Sequence, residues 1–425
     1  MATIVACSAS DDAKSDPSAC GDTRELVLHC DGDCSGTNAT SRALASLEAQ
    51  FKAKCPNVNF VKQSAQSQVA AQEQLKEKLA KNDPPDIFYS DAGRSLTEFA
   101  GTSDAASSIE PLEFLYTANG WDGVFQSEMI AQVSTRDHKY GLPVGFNREN
   151  TLYWSIQIFK DNNLTPPKTW DEFFVIADAL KAKGIPAISV AQAERDVWTT
   201  AILFQSVFLA TAGRDYYTDF YAGKKDPADG QYRKAVELFL KVLGYQTKDA
   251  VTLAYLDSVK AVATGKAAMM VQGTWATSNL ASANLEPGVD YGMTAAPQTD
   301  GLFVAAGTGY VLARGARNRQ NATAFLSILG SKGGMETYAT QTKWLAARLD
   351  VNTETIGYDP PTKGMFDELK TAHVLRNMPA QTPAKFLDVS DQSIADLARK
   401  KDAPGSADAA VQAIANVYHL LKTGP

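Results

Sequence analysis

The chain has 425 residues, with 41 Lys and Arg against 48 Asp and Glu and a formal net charge of −7. Hydrophobic residues make up 44% and charged residues 21%, the mix of a globular protein with a sizeable core, which excludes collagen-like, coiled-coil and disordered classes. An acidic chain without long Lys/Arg clusters is no nucleic-acid binder, and no apolar run approaches the roughly 20 residues that span a bilayer.

At the start, Ile4-Val-Ala-Cys7 resembles a bacterial lipobox, in which small residues precede a cysteine that becomes lipid-modified. The charged and apolar regions of a signal peptide are missing before it. Residues 1–22 therefore read as a signal remnant and tether, with Cys7 the lipidation candidate. All five cysteines fall within the first 55 residues. Setting Cys7 aside leaves Cys20, Cys30, Cys34 and Cys55, an even number that suits an oxidising compartment. Three pairings are open. One is suggested by placement: Cys20 and Cys55 each precede a strand start, which would leave Cys30 and Cys34 to close a small loop.

Leu26-Val-Leu28 opens a strand, and 41–54 carries Leu44, Leu47 and Phe51 at helical spacing. Val58-Asn-Phe60 resumes the strand pattern, a second helix is expected over 65–81, and Asp86-Ile-Phe-Tyr89 forms the next strand. This β-α-β-α-β order argues for an α/β fold with a largely parallel sheet. A boundary lies near Pro143, where an extended run leads into Thr151-Leu-Tyr-Trp154. Thr169-Trp-Asp-Glu172 is a capping box opening a helix that Gly184 stops. Helices are expected at 197–212, 231–244 and 250–264, a buried strand at 267–271, extended segments at 291–296 and 302–312, and mostly helix from 317.

Catalytic motifs are scarce. There is no G-x-S-x-G elbow, H-E-x-x-H helix or phosphate-binding loop, and the four histidines lie far apart. His29, Cys30 and Cys34 form a loose metal-like cluster, with a disulfide loop the competing reading. Carboxylate pairs of a glycan hydrolase depend on the fold, and that reading also stays open. The aromatics say more. Trp121, Trp154, Trp198, Trp275 and Trp344 sit in loops or at element edges, and indoles beside carboxylates and amides suit the C–H faces and hydroxyls of sugars. Each could equally be a core residue, and Trp170 is assigned to packing. Trp275 follows a buried strand and a glycine, which delivers it to the end of a sheet, where α/β folds bind ligands.

Several stretches resemble the extracellular solute-binding proteins of ABC importers, in particular the carbohydrate group and its glucose-type monosaccharide binders. These are Asp83-Pro-Pro-Asp86-Ile-Phe-Tyr-Ser-Asp-Ala-Gly93, Leu142-Pro-Val-Gly-Phe-Asn-Arg-Glu-Asn-Thr-Leu-Tyr-Trp154, Pro166-Pro-Lys-Thr-Trp-Asp-Glu-Phe173 and, most tellingly, Gly265-Lys-Ala-Ala-Met-Met-Val-Gln-Gly-Thr-Trp275. The resemblance implies a two-lobed periplasmic-binding-protein type α/β fold with hinge-crossing segments. Lobe one would be 23–143 plus 299–345, and lobe two 144–298 plus 346–425. It implies no catalysis and no cofactor. A monosaccharide would be trapped between the lobes and presented to an ABC permease by a monomer that touches the membrane only through a possible lipid anchor. Carried over by position, it nominates Tyr89 and Asp91 for hydroxyl contacts, Trp198 and Trp275 as stacking walls and Lys343 for a further hydroxyl, with Arg148 and Thr308 as secondary candidates. Where glucose-type relatives offer a tryptophan after the first strand, this chain reads His29-Cys30-Asp31. A cysteine-stapled loop presenting Asp31, Asp33, Asn38 or Arg42 is the expected substitute.

Overall fold

A computed structural model describes residues 16–423; Cys7 lies outside them. The first β-α-β-α-β unit forms as expected: strands Glu25–His29, Asn59–Gln63 and Ile87–Asp91 run parallel, with Leu26 opposite Phe60 and Leu28 opposite Ile87. Helix Ala39–Lys54 starts where Asn38 accepts the Ser41 N–H at 2.9 Å, and it buries Ala43, Leu44, Leu47 and Phe51. The long strand Leu302–Leu312 then joins antiparallel, between Ile87–Asp91 and Gly141–Arg148, completing a seven-stranded sheet.

The second sheet departs from the parallel expectation. Thr151–Ser155 lies between Met269–Gln272 and Tyr291–Ala295, antiparallel to both. Its core is helical. Trp198–Ala212 buries 11 consecutive residues from Thr199 to Leu209, the all-round burial of a central helix rather than a surface one. The Thr169 cap forms, its Oγ1 accepting from Glu172 N at 3.1 Å; Glu172 Oε2 reaches back to Lys168 N at 2.7 Å, one residue before the cap. Among the elements not expected are the hairpin Ser134–Thr135/His138–Lys139 and strand His373–Arg376, which pairs parallel with Leu302–Leu312.

Apolar side chains separate into two main cores. One holds Leu26 through Phe146 together with Phe303 through Leu369; the other holds Leu152 through Val304 and then Leu375 through Leu421. Ala346, Ile356 and Phe366 thus pack with the first core, and the last transfer of the chain falls between Leu369 and Leu375 rather than at 345. Residues 16–22 are also not free as a tether: Gly21 N donates to Asn321 at 2.8 Å and Cys20 is bonded to Cys55.

The crossings meet at Arg148-Glu149-Asn150. Asn150 donates to Thr299 Oγ1 and Leu302 O, both at 2.9 Å, and accepts from Val304 N at 2.9 Å. Glu149 accepts from Asn377 at 2.8 Å and from Gln205 at 2.7 Å. The first two crossings and the segment after His373–Arg376 are therefore tied at one buried point between the cores.

Candidate functional site

A cleft of about 1100 Å³ opens between the two cores. Its first-core wall begins with the loop after Glu25–His29. The Cys30–Cys34 disulfide closes that loop, and Asp33 organises it internally. The Asp33 carboxylate accepts from Ser35 N at 2.9 Å and Ser64 Oγ at 3.1 Å, and these bonds hold it below the usual carboxylate range. Asp33 is thus spent on the loop, and Asn38 on its helix cap. Asp31, half-buried, faces the cleft.

Behind it, Tyr89 OH donates to Asp91 Oδ1 at 3.0 Å, and Gln68 approaches Asp91 Oδ2 at 3.4 Å. Tyr89 lines the cleft, whereas Asp91 sits behind and orients it. Burial raises the Asp91 carboxyl, against the Tyr89 bond that lowers it. Burial, reinforced by the Asp91 charge, pushes Asp31 up to about 8. Folding therefore favours protonated Asp31, so the stability this carries is present below about pH 4 and lost as pH rises through about 8. The melting temperature of the wild type should fall more steeply than that of D31N between about pH 5 and about pH 8.5. Parallel melting profiles of the two proteins would rule this out.

The second-core wall is aromatic and amidic. Trp275 follows Met269–Gln272 through Gly273, where a Cβ would stand 2.3 Å from the indole; only glycine lets the ring fold back there. Trp198 lies 6.0 Å from Trp275 at 56°, and Tyr255 packs on Trp198 at 4.9 Å. Helix Ala276–Ser282 presents Thr277, Ser278 and Asn279 to the cleft. The opposing rim contains Lys343 and Trp344, the former in a left-handed conformation (φ 57°).

The nominated residues divide accordingly. Tyr89, Asp31, Arg42, Lys343 and Trp275 line the cleft together. Two of them are partly engaged: Lys343 donates to Ile356 O at 2.8 Å and Gly357 O at 3.1 Å, and Arg42 to Gln341 at 3.2 Å and to the Thr37 carbonyl. Trp198 backs Trp275 from a smaller cavity. Arg148 and Thr308 do not line the cleft. Arg148 is 1% exposed and serves the hinge, and Thr308, also buried, approaches Gly145 O at 3.5 Å. The metal cluster fails on chemistry: both thiols are in a disulfide, and His29 Nε2 pairs with Ala71 O at 2.9 Å. Trp344, Tyr291 and Asp359 also line the cleft; of these only Trp344 carried a sequence signal, as an aromatic at an element edge.

Two α/β cores joined through tied crossings, with an aromatic- and carboxyl-walled cleft between them, are the layout of a two-lobed receptor for a small solute. Residues 36–336 match the family described as bacterial extracellular solute-binding protein, and the chain belongs to it. It is an extracellular or periplasmic protein. Among its relatives is an uncharacterized ABC transporter extracellular-binding protein of Pyrococcus horikoshii, 26% identical over 88% of this chain and 84% of the relative. The xylose/arabinose-binding protein XacG of Haloferax volcanii is 26% identical over 60% of this chain and 54% of its own. Among solved structures, the bacterial solute receptor AcbH, described as having exclusive preference for β-D-galactopyranose, superposes with a TM-score of 0.80 at 18% identity, covering 94% of this chain and 99% of its own. A chitin oligosaccharide binding protein does so at 0.78 and 23% identity, covering 95% and 100%.

Proposed function

We propose that the protein is the solute-binding component of an ABC importer and captures a sugar, a monosaccharide above others, in the interlobe cleft for delivery to a membrane permease. The observation that carries this reading is the facing of Trp275 across the cleft from Asp31 and Tyr89: a flat apolar surface on one core, hydroxyl partners on the other. Each wall alone makes half the contacts, so the ligand is bound fully only when the lobes close, and binding shifts the population toward the closed form. The first lobe is the core built from the seven-stranded sheet and the second that around the three-stranded one. Tyr89, Asp31, Asp91, Arg42, Trp198, Trp275 and Lys343 form or support the site. The sugars named for XacG, xylose and arabinose, and for AcbH, galactopyranose, support a monosaccharide. A monomer anchored through Cys7 completes the reading.

The test is tryptophan fluorescence and thermal-shift titration against D-glucose, D-galactose, D-xylose, L-arabinose, N,N′-diacetylchitobiose and raffinose. A bound sugar at 100 times its Kd should stabilise the fold by about 2.7 kcal/mol. At least one monosaccharide should bind tenfold or more tightly than the two larger sugars. Tighter binding of diacetylchitobiose or raffinose would move the assignment to oligosaccharides, for which a cleft of about 1100 Å³ has room. Silence across the whole panel would remove the carbohydrate assignment.

A further inference from the structure

Trp275 borders not only the cleft but a smaller cavity of about 110 Å³, walled on its apolar sides by Trp198, Ile202, Met378 and Pro379. Nothing in the mechanism of closure requires this space. It lies at the lobe boundary: a Cβ on Gly93, in the turn after Ile87–Asp91, would stand 2.1 Å from Ala380 O in the helix Met378–Gln381.

Its polar groups are three. Glu149 uses both oxygens, on Gln205 and Asn377. Gln205 is used at both ends, its Oε1 accepting from Met378 N at 2.6 Å and Tyr217 OH at 2.9 Å. Asp391, on helix Ala384–Arg399, differs: its Oδ1 is buried and has no hydrogen-bond partner among the described residues. The charges around it are mostly of its own sign. Asp388 and Glu149 join burial in raising its carboxyl to about 7, and Arg94, from the other lobe, is the cation that opposes them. Arg94 also opposes the rise of the Asp91 carboxyl behind Tyr89, so one guanidinium acts on a carboxyl at each of the two spaces.

An unpartnered buried carboxylate oxygen costs stability, and at the wall of a cavity it is free to accept a hydrogen bond from a ligand. The surroundings specify the chemistry of that ligand. An acceptor set among indole, thioether and proline surfaces suits a hydroxyl or amide N–H carried on a C–H framework, the edge of a pyranose ring. The volume fits one ring edge and not a disaccharide. We propose that this cavity is an inner extension of the sugar site, entered past Trp275 by one edge of the bound ring, in which Asp391 Oδ1 accepts a ring hydroxyl or acetamido N–H while the C–H groups of that edge pack on Trp198 and Met378. Asp391 is thereby a specificity-determining residue. The inference rests on the carbohydrate reading given above.

Wild type, D391N, D391L and the neighbouring exposed control D388N are titrated calorimetrically with D-galactose, D-xylose and N,N′-diacetylchitobiose, and melted at about pH 8. For every sugar the wild type binds, both Asp391 variants should bind tenfold or more weakly and D388N within twofold. Their melting temperatures should equal or exceed that of the wild type, because an uncompensated charge has been removed. A structural carboxylate would move melting down and leave affinity alone, and that result overturns the subsite. An affinity loss matched by a fall in melting temperature overturns it as well. If the wild type binds but the variants bind equally well, the subsite fails alone; if the wild type binds none of the three, both inferences fail together.

Discussion

Replacing Trp275 by alanine should weaken sugar binding by two orders of magnitude or more while leaving the protein folded. The indole is half-buried, so the face it offers the cleft is the part still to be covered. Covering about 100 Å² of it contributes about 2.5 kcal/mol, and the ring's preference for polarised C–H groups adds about 1 kcal/mol. Together these exceed the 2.7 kcal/mol that corresponds to about a hundredfold change in Kd. The stability cost is smaller because Trp275 packs against the second core at its edge, alongside Trp198 at 6.0 Å, and is not one of the fully buried residues. W170A makes the contrast: Trp170, 2% exposed in the helix after Thr169, should cost stability and leave affinity per folded molecule intact. Calorimetric titration with D-galactose and D-xylose reads the first quantity and a melting curve the second. A change of tenfold or less in W275A would take the indole out of the ligand site.

That Trp275 could be nominated from sequence, while Arg148 misled, has a physical reason. Trp275 follows a four-residue buried strand and a glycine, and that local pattern alone fixes where the chain delivers the ring. The first β-α-β-α-β unit and the Thr169 cap were legible for the same reason: periodicity and cap chemistry act over a few residues. The antiparallel second sheet was not, because Thr151–Ser155 takes both partners from distant segments. Strand His373–Arg376 has two apolar residues and is held by pairing with Leu302–Ala305, a contact no local pattern announces. Asp391 sits in an amphipathic helix where a carboxylate reads as part of a solvated face; only the packing around it buries the oxygen. The return of 346–369 to the first core likewise depends on tertiary contacts of Ala346, Ile356 and Phe366.

Arg148 is the case where sequence chemistry and structural role diverge most, and its removal should produce the largest stability loss among the nominated residues. Its guanidinium donates to Glu368 Oε2 at 3.0 Å, Leu302 O at 2.9 Å and Asn150 Oδ1 at 3.3 Å, and lies 4.2 Å over the Phe303 ring. Burial draws the guanidinium below its ordinary value and the Glu368 charge opposes this, so the group is held charged by its partners rather than by water. R148A leaves Glu368 without its partner, Asn150 Oδ1 with one bond fewer and a void over Phe303. Breaking a buried pair costs about 3–5 kcal/mol, and Glu368, 33% exposed, regains some water, which places R148A near the lower end. At about 2–4 °C per kcal/mol the melting temperature should drop by about 6–12 °C. E368Q keeps an acceptor but leaves the buried guanidinium without the carboxylate that balances it, so it should also cost about 3 kcal/mol. R148K should resemble R148A more than wild type, because an ammonium cannot reproduce the planar fork that meets three acceptors at once. Sugar affinity per folded R148A molecule should change less than fivefold, because the side chain stands behind the hinge and not in the cleft. An arginine that touched ligand would give the reverse, intact melting with affinity lost, and that outcome would return Arg148 to the binding site.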